Sequence, residues 1–345
     1  MDIAKKLQKL GIEDIRKLDN ESIRIIACNV TDALTKAFPS IYDEYNNILI
    51  KLLNCNMYVA KITKHISKVN YIYEDNSIYF DEEMNLSKIN EQMLHECIHY
   101  LQDNRDIKKS KHSKIGLCNF EEFSLYGIGI NEAAVQYISA KTMNNTNAVL
   151  EKYGVRIKTI SPNYYPFITN LIEQIVYLIG DEILVKGTLK GNEEFEDELL
   201  NTFESNTKKI ISRFDEMLEI NNSLNSEKDI DKIKILEKGL THIYTETQNM
   251  IFSTYFNKIC PRLDTIQEID FYTDKAIYYR NIMGVVLEER FNENNFYDTE
   301  IQTITERFNK RLLAINKSKS KNALAIIKGD RTWRFIKRIV SYFSA

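Results

Sequence analysis

What most limits the folds open to this chain is how little in it interrupts a helix: 11 glycines and 4 prolines are spread over 345 residues. These two residue types end helices and shape turns. With so few of them, and with apolar residues recurring at helical spacing over long stretches, the sequence predicts a mainly α, α+β fold with a small sheet or hairpin. A hydrophobic content of 43% supports a packed core, and the length suits one large domain or two ordinary ones.

Three regions are readable along the chain. Residues 1–66 read as an N-terminal helical cap, with helices expected from Asn20-Glu21-Ser22 toward Phe38-Pro39 and over 42–53. Residues 67–190 read as the functional core. There a strand, Val69-Asn70-Tyr71-Ile72-Tyr73, is followed by the turn Glu74-Asp75-Asn76 and a second strand, Ser77-Ile78-Tyr79-Phe80. Residues 191–345 read as a C-terminal helical region, with helices expected over 199–220, 232–260, 265–283 and 299–315. Its tail, 317–345, is basic against the single acid Asp330, and Trp333, Phe335 and Ile336 interleave with the cations. Such a segment can contact a partner or an anionic membrane surface, or pack back on its own domain.

The chemistry-bearing motif follows the hairpin. His95-Glu96-Cys97-Ile98-His99 lies in a stretch with helical character, so the two imidazoles, one turn apart, face the same way. That is the arrangement a divalent metal needs, and the intervening Glu96 is close enough to take a proton from a water that the metal activates. Met93, Leu94, Ile98 and Leu101 around the motif are uncharged, as expected of a helix buried against a domain body. Cys97 reads as a small buried apolar residue, and His65 and His242 read as surface and structural residues.

The third ligand decides the class of site. A histidine at 105 with a glycine at 102 would mark the metzincin pattern, but Arg105 and Gln102 stand there. His112 lies in a polar, basic run that reads as a loop, and Glu121 and Glu122 read as an exposed helix start. The better candidate is Glu132, in Gly127-Ile128-Gly129-Ile130-Asn131-Glu132-Ala133-Ala134, where a glycine-rich entry places it in the first turn of a second helix. Ala133 and Ala134 would let that helix approach the first one closely. A solvent-facing or dipole-stabilising role for Glu132 is the alternative.

His95-Glu96-x-x-His99 followed by Asn131-Glu132-Ala133-Ala134 resembles the gluzincin clan of zinc metallopeptidases, particularly its compact intracellular members, over about residues 55 to 185. The resemblance implies a zincin-like catalytic core with two metal-bearing helices, one Zn2+ held by His95, His99 and Glu132, and Glu96 as general base. It also implies a peptide or protein substrate laid as an added strand along the edge of a small sheet, formed by Ser77, Ile78, Tyr79 and Phe80 or their neighbour. One departure stands out. Where thermolysin-like members carry an acid four residues after the ligand glutamate, this chain has Gln136, leaving Asp103, Gln102 or a backbone carbonyl to orient a ligand histidine.

Such a peptidase needs a further donor for the oxyanion. Tyr126 and the pair Tyr164 and Tyr165 are the candidates, Tyr126 and Tyr165 foremost, because a phenol donates without carrying charge. The alternative function is a degenerate zinc-binding protein acting as a binding or regulatory module.

A net charge of −3 argues against a nucleic-acid binder that works by phosphate neutralisation. The five cysteines, Cys28, Cys55, Cys97, Cys118 and Cys260, have no paired spacing and fit free thiols of a reducing compartment. No apolar run approaches the ~18 residues of a membrane span, and the first residues carry no secretory pattern. A cytoplasmic location is therefore expected.

Overall fold

The computed structural model describes residues 3–64, 67–103, 114–121, 124–287 and 294–320. His65, His112, Glu122 and the tail beyond residue 320 lie outside them. Those within Met1–Tyr255 and Tyr278–Tyr297 form one compact unit, and those within Phe256–Ile277 and Asp298–Ala345 another.

The first unit opens with helix α1 (Ile3–Leu10), strand β1 (Ile12–Lys17), helices α2 (Asn20–Ala37) and α3 (Tyr45–Leu53), and strand β2 (Asn56–Ile62). The segment 1–66, expected as helices alone, thus also supplies two strands. β3 (Val69–Ile72) and β4 (Ser77–Asp81) form the expected hairpin, and the four strands make one sheet in the order β1-β2-β4-β3. β2 and β4 run parallel, the other pairs antiparallel. Every residue of β4 is buried.

Helix α4 (Glu91–Gln102) carries the HExxH motif and packs against β3. Asn90 caps its start, its side chain accepting the Met93 N–H at 2.9 Å. Lys51 from α3 closes its end, donating to the carbonyls of Leu101 and Asp103 at 2.8 Å each, where a cation also complements the helix dipole. Met93, Leu94, Cys97, Ile98 and Leu101 face the core, each worth on the order of 1.5–3 kcal/mol of burial for the larger side chains.

A small sheet, β5 (Lys114–Ile115), β6 (Cys118–Glu121) and β7 (Ser124–Tyr126), leads into helix α5 (Ile128–Thr142), the carrier of Glu132. α5 is buried nearly all round, against α4 and the helices Pro166–Ile179 and Thr207–Ser226. No side chain of its own caps its start. Asp215 does so from a distant helix, accepting the N–H groups of Gly127 and Gly129 at 2.8 and 2.7 Å. A side chain at Gly129 would run into the Phe214 carbonyl, so the glycine permits this close approach.

Beyond α5, β8 (Ala148–Lys152) and β9 (Val155–Thr159) form a hairpin, followed by α6 (Pro166–Ile179), α7 (Asp181–Lys190), α8 (Glu194–Phe203), α9 (Thr207–Ser226), α10 (Ile230–Ile259) and α11 (Ile266–Tyr279). The helix expected over 199–220 is broken where Glu204 turns back at φ 50°. β10 (Val285–Val286) pairs with β9, and α12 is Asn294–Ser320. The fold is mainly helical with small sheets. Among the described residues no helix is long and apolar enough to cross a membrane.

Candidate metal centre

α4 and α5 bring three donors to one point. His95 Nε2 and His99 Nε2 lie 3.0 Å apart, and the Glu132 carboxylate stands 3.4 Å from the first and 3.3 Å from the second. Four ligands placed tetrahedrally at about 2.0–2.2 Å from zinc would be separated by about 3.3 Å. The three edges, 3.0, 3.4 and 3.3 Å, are of that size, so His95, His99 and Glu132 could hold such an ion and would leave it a further position for water or substrate.

Which nitrogen of each imidazole is free follows from the hydrogen bonds behind it. His95 Nδ1 meets Gln136 Oε1 at 3.0 Å. The other end of that amide donates to Glu91 and, at 2.9 Å, to Ser161 Oγ. A carboxylate only accepts, so Gln136 must turn its nitrogen to Glu91 and its oxygen to His95, which puts the proton on Nδ1 and the lone pair on Nε2. Asn145 Nδ2 in turn donates to Glu91 Oε2 at 2.9 Å.

His99 is held by the same logic on another route. The Leu117 N–H donates to Asn131 Oδ1 at 2.9 Å, and Gln102 Nε2 donates to that same oxygen at 2.9 Å. Gln102 Oε1 is thereby left facing His99 Nδ1 at 3.2 Å. Gly116, at φ 54°, lets the loop between β5 and β6 lie directly on these two amides. Of the orienting partners expected from sequence, Gln102 takes the role at His99, and Gln136, whose neutrality raised the question, fills it at His95. Asp103 turns elsewhere, its Oδ2 accepting the Tyr71 hydroxyl at 2.7 Å.

Electrostatics bind the cluster together. Burial alone would push His99 down, but the Glu132 carboxylate beside it overrides that and holds it above the usual imidazole range while no cation is bound. Burial would likewise raise Glu132, and the two imidazoles pull it far below the usual carboxylate range instead. Glu96 goes the other way: burial raises it, against the attraction of His95 and His99 and the N–H of Tyr71, which donates to Glu96 Oε2 at 2.9 Å.

Tyr165 stands within electrostatic reach of both Glu132 and Glu96, and burial followed by those two charges pushes its phenol up to about 12. It has no hydrogen-bond partner among the described residues. Its backbone is left-handed, at φ 47°, immediately before Pro166, a conformation that a bulky side chain adopts rarely and that the surrounding fold must hold. Tyr164 accepts from Gln92 Nε2 at 2.8 Å. The Tyr126 hydroxyl is engaged by the Lys208 carbonyl at 3.1 Å. Ser77, Ile78, Tyr79 and Phe80 are hydrogen-bonded into the sheet on both sides, since β4 lies between β2 and β3, and so have no free backbone edge. The outer strand beside α4 is their neighbour β3.

Sequence reading did not reach Glu91, Ser161, Asn145 or Asp215. Glu91 had a local signal, a carboxylate one helical turn ahead of His95. Asp215 had none, because it lies 88 residues along the chain from Gly127 and 86 from Gly129. Compared with known proteins, the chain matches no family model, no curated protein and no solved structure.

Proposed function

We propose that this chain is a zinc-dependent peptidase with a zincin-like core. The observation that carries the reading is the triangle of His95 Nε2, His99 Nε2 and Glu132, with Glu96 within electrostatic reach of all three and the Tyr165 phenol within reach of Glu132 and Glu96. When bound, zinc supplies Lewis-acid polarisation of a carbonyl and lowers the pKa of water toward neutrality. His95, His99 and Glu132 would hold it. Glu96, raised by burial and fixed by the Tyr71 N–H, takes the proton of the attacking water and passes it to the leaving amine. The Tyr165 phenol, protonated at neutral pH, donates to the oxyanion.

An extended peptide is the substrate the surroundings favour, because β3 borders the metal helix and is the outer strand of its sheet. Five free cysteines accord with a reducing cytoplasmic compartment.

Zinc analysis and peptide hydrolysis with Glu96→Gln test the reading together. The variant is expected to keep one equivalent of zinc, lost in His95→Ala, and to stop cleaving a mixed peptide library that the wild-type chain cleaves. Full cleavage by Glu96→Gln, or no zinc in the wild-type protein, overturns it. Zinc bound without cleavage by either form points to the binding module instead.

A further inference from the structure

Apart from the metal centre, a cavity of about 580 Å³ opens between the end of α5, the turn into β8, the end of β9 and α6. That is within the usual range for small-molecule sites. Its most unusual wall is Glu173. Oε1 accepts from Thr159 Oγ1 at 2.5 Å and from the Ile160 N–H at 3.1 Å. Oε2 has no partner among the described residues and is not sealed off by protein. No cation offsets the charge: burial is the dominant influence on Glu173, its two hydrogen bonds are the others, and the carboxyl is pushed up to about 7. A desolvated carboxylate with one satisfied oxygen calls for a positively charged donor.

The cations of the cavity stand elsewhere. Lys141 is already paired with Asp181 and lies 3.3 Å from the Tyr137 hydroxyl. Lys158 is exposed and its ammonium has no partner among the described residues. Amides from Asn144, Asn145 and Asn147 line the turn, and Ile160, Val176 and Ile282 supply apolar wall. The cavity therefore offers a buried anion, a separate free cation, amide hydrogen bonds and room for an aliphatic side chain. We infer that it is a second ligand site that takes a small zwitterion, an amino acid or short peptide, with its ammonium on Glu173 and its carboxylate toward Lys158. A simple amine would leave Lys158 unused, and a simple anion would leave Glu173 unmatched.

Asn145 gives the site a bearing on the metal centre, since it lines the cavity and also donates to Glu91, the carboxylate behind Gln136 and His95. The inference does not depend on the peptidase reading.

The test is calorimetric titration of the zinc-loaded full chain at pH 7.5 with the dipeptide Leu-Leu, in the Glu96→Gln background so that the probe survives. N-acetyl-Leu-Leu and Leu-Leu amide serve as probes lacking one charge each. Leu-Leu is expected to bind, with each blocked form weaker by about tenfold or more. Glu173→Gln, which keeps both hydrogen bonds of Oε1, is expected to weaken binding by a similar factor, and Val176→Trp to abolish it by filling the cavity. The proposal is overturned if Leu-Leu does not bind, if either blocked form binds as well as the free dipeptide, or if Glu173→Gln and Val176→Trp both leave binding unchanged.

Discussion

Gln136 presents its side-chain oxygen to His95 Nδ1 at 3.0 Å because Glu91 holds the amide by its nitrogen. A carboxylate thus stands behind His95, but at one remove, with the Gln136 amide between them. The spacer is neutral, and the order carboxylate, amide, imidazole makes each member dictate the orientation of the next.

That order predicts that placing an acid at 136 harms the site. Gln136→Glu would set two carboxylates against each other and remove the donor that Glu91 and Ser161 receive. Zinc affinity, measured by competition with a chromophoric chelator, is expected to fall by about 10- to 100-fold. The exchange Glu91→Gln with Gln136→Glu swaps donor and acceptor and is expected to recover most of it. A single Gln136→Glu variant that binds zinc as tightly as the wild type would refute the relay.

Gly116 makes a second point of weakness far from the motif in sequence. A side chain there would overlap the amides of Asn131 and Gln102, and the backbone at φ 54° resists one in any case. Gly116→Ala is expected to cost about 1–3 kcal/mol in urea denaturation, the usual penalty for disturbing a buried hydrogen-bond network. Because Gln102 orients His99, zinc affinity is expected to drop in the same variant. Stability lost with zinc affinity intact would separate Gly116 from the site.

The legible parts of this architecture are those whose signal is local. His95 and His99 announce a shared helix face by their spacing, and Glu132 follows from a glycine-rich helix start with alanines behind it. The β3–β4 hairpin is readable because two β-branched and aromatic runs flank Glu74-Asp75-Asn76. β1 is not, since only Ile12 of its six residues is buried and no alternation survives, while Asp14 interrupts it at φ 51°. Of the two rail candidates, residues 77–80 or their neighbour, only the neighbour β3 has an outer edge: residues 77–80 have the right composition for a strand, but which strand is outermost depends on β2 joining from the other side. Asp215 capping α5 and Asn131 fixing Gln102 are contacts that only the folded chain creates.

Tyr165 and Tyr126 were equal candidates in sequence and are unequal in space. One hydroxyl is partnerless near Glu96 and Glu132, and the other is spent on Lys208. For the proposed peptidase, Tyr165→Phe is expected to lower kcat by about 10²-fold with KM and zinc content nearly unchanged, the pattern of a donor used only in the transition state. Tyr126→Phe is expected to behave as wild type in kcat. Equal effects from both variants would remove Tyr165 from the oxyanion role.

Glu173 carries a pH signature independent of metal. Its carboxyl titrates at about 7 in the folded chain against an ordinary 4.5, chiefly because burial disfavours the anion. The groups around it include the Thr159 hydroxyl, the Ile160 N–H, Tyr137, Tyr177, Tyr244 and the lysines at 141 and 158, and neither lysine offsets the shift. Below pH 4.5 the group is protonated whether the chain is folded or not, so its contribution to stability is fully present there. As pH rises toward 7 the unfolded chain gives up the proton while the folded chain keeps it, and stability falls, reaching a loss of about 3 kcal/mol above pH 7. Glu173→Gln cannot ionise. Urea denaturation is therefore expected to show the variant and the wild type alike near pH 4.5, with the variant gaining up to about 3 kcal/mol by pH 8. Leu-Leu bound at Glu173 should reduce that gap in the wild-type protein by stabilising the anion. A stability difference that does not change between pH 4.5 and 8 would mean that Glu173 does not titrate in this range.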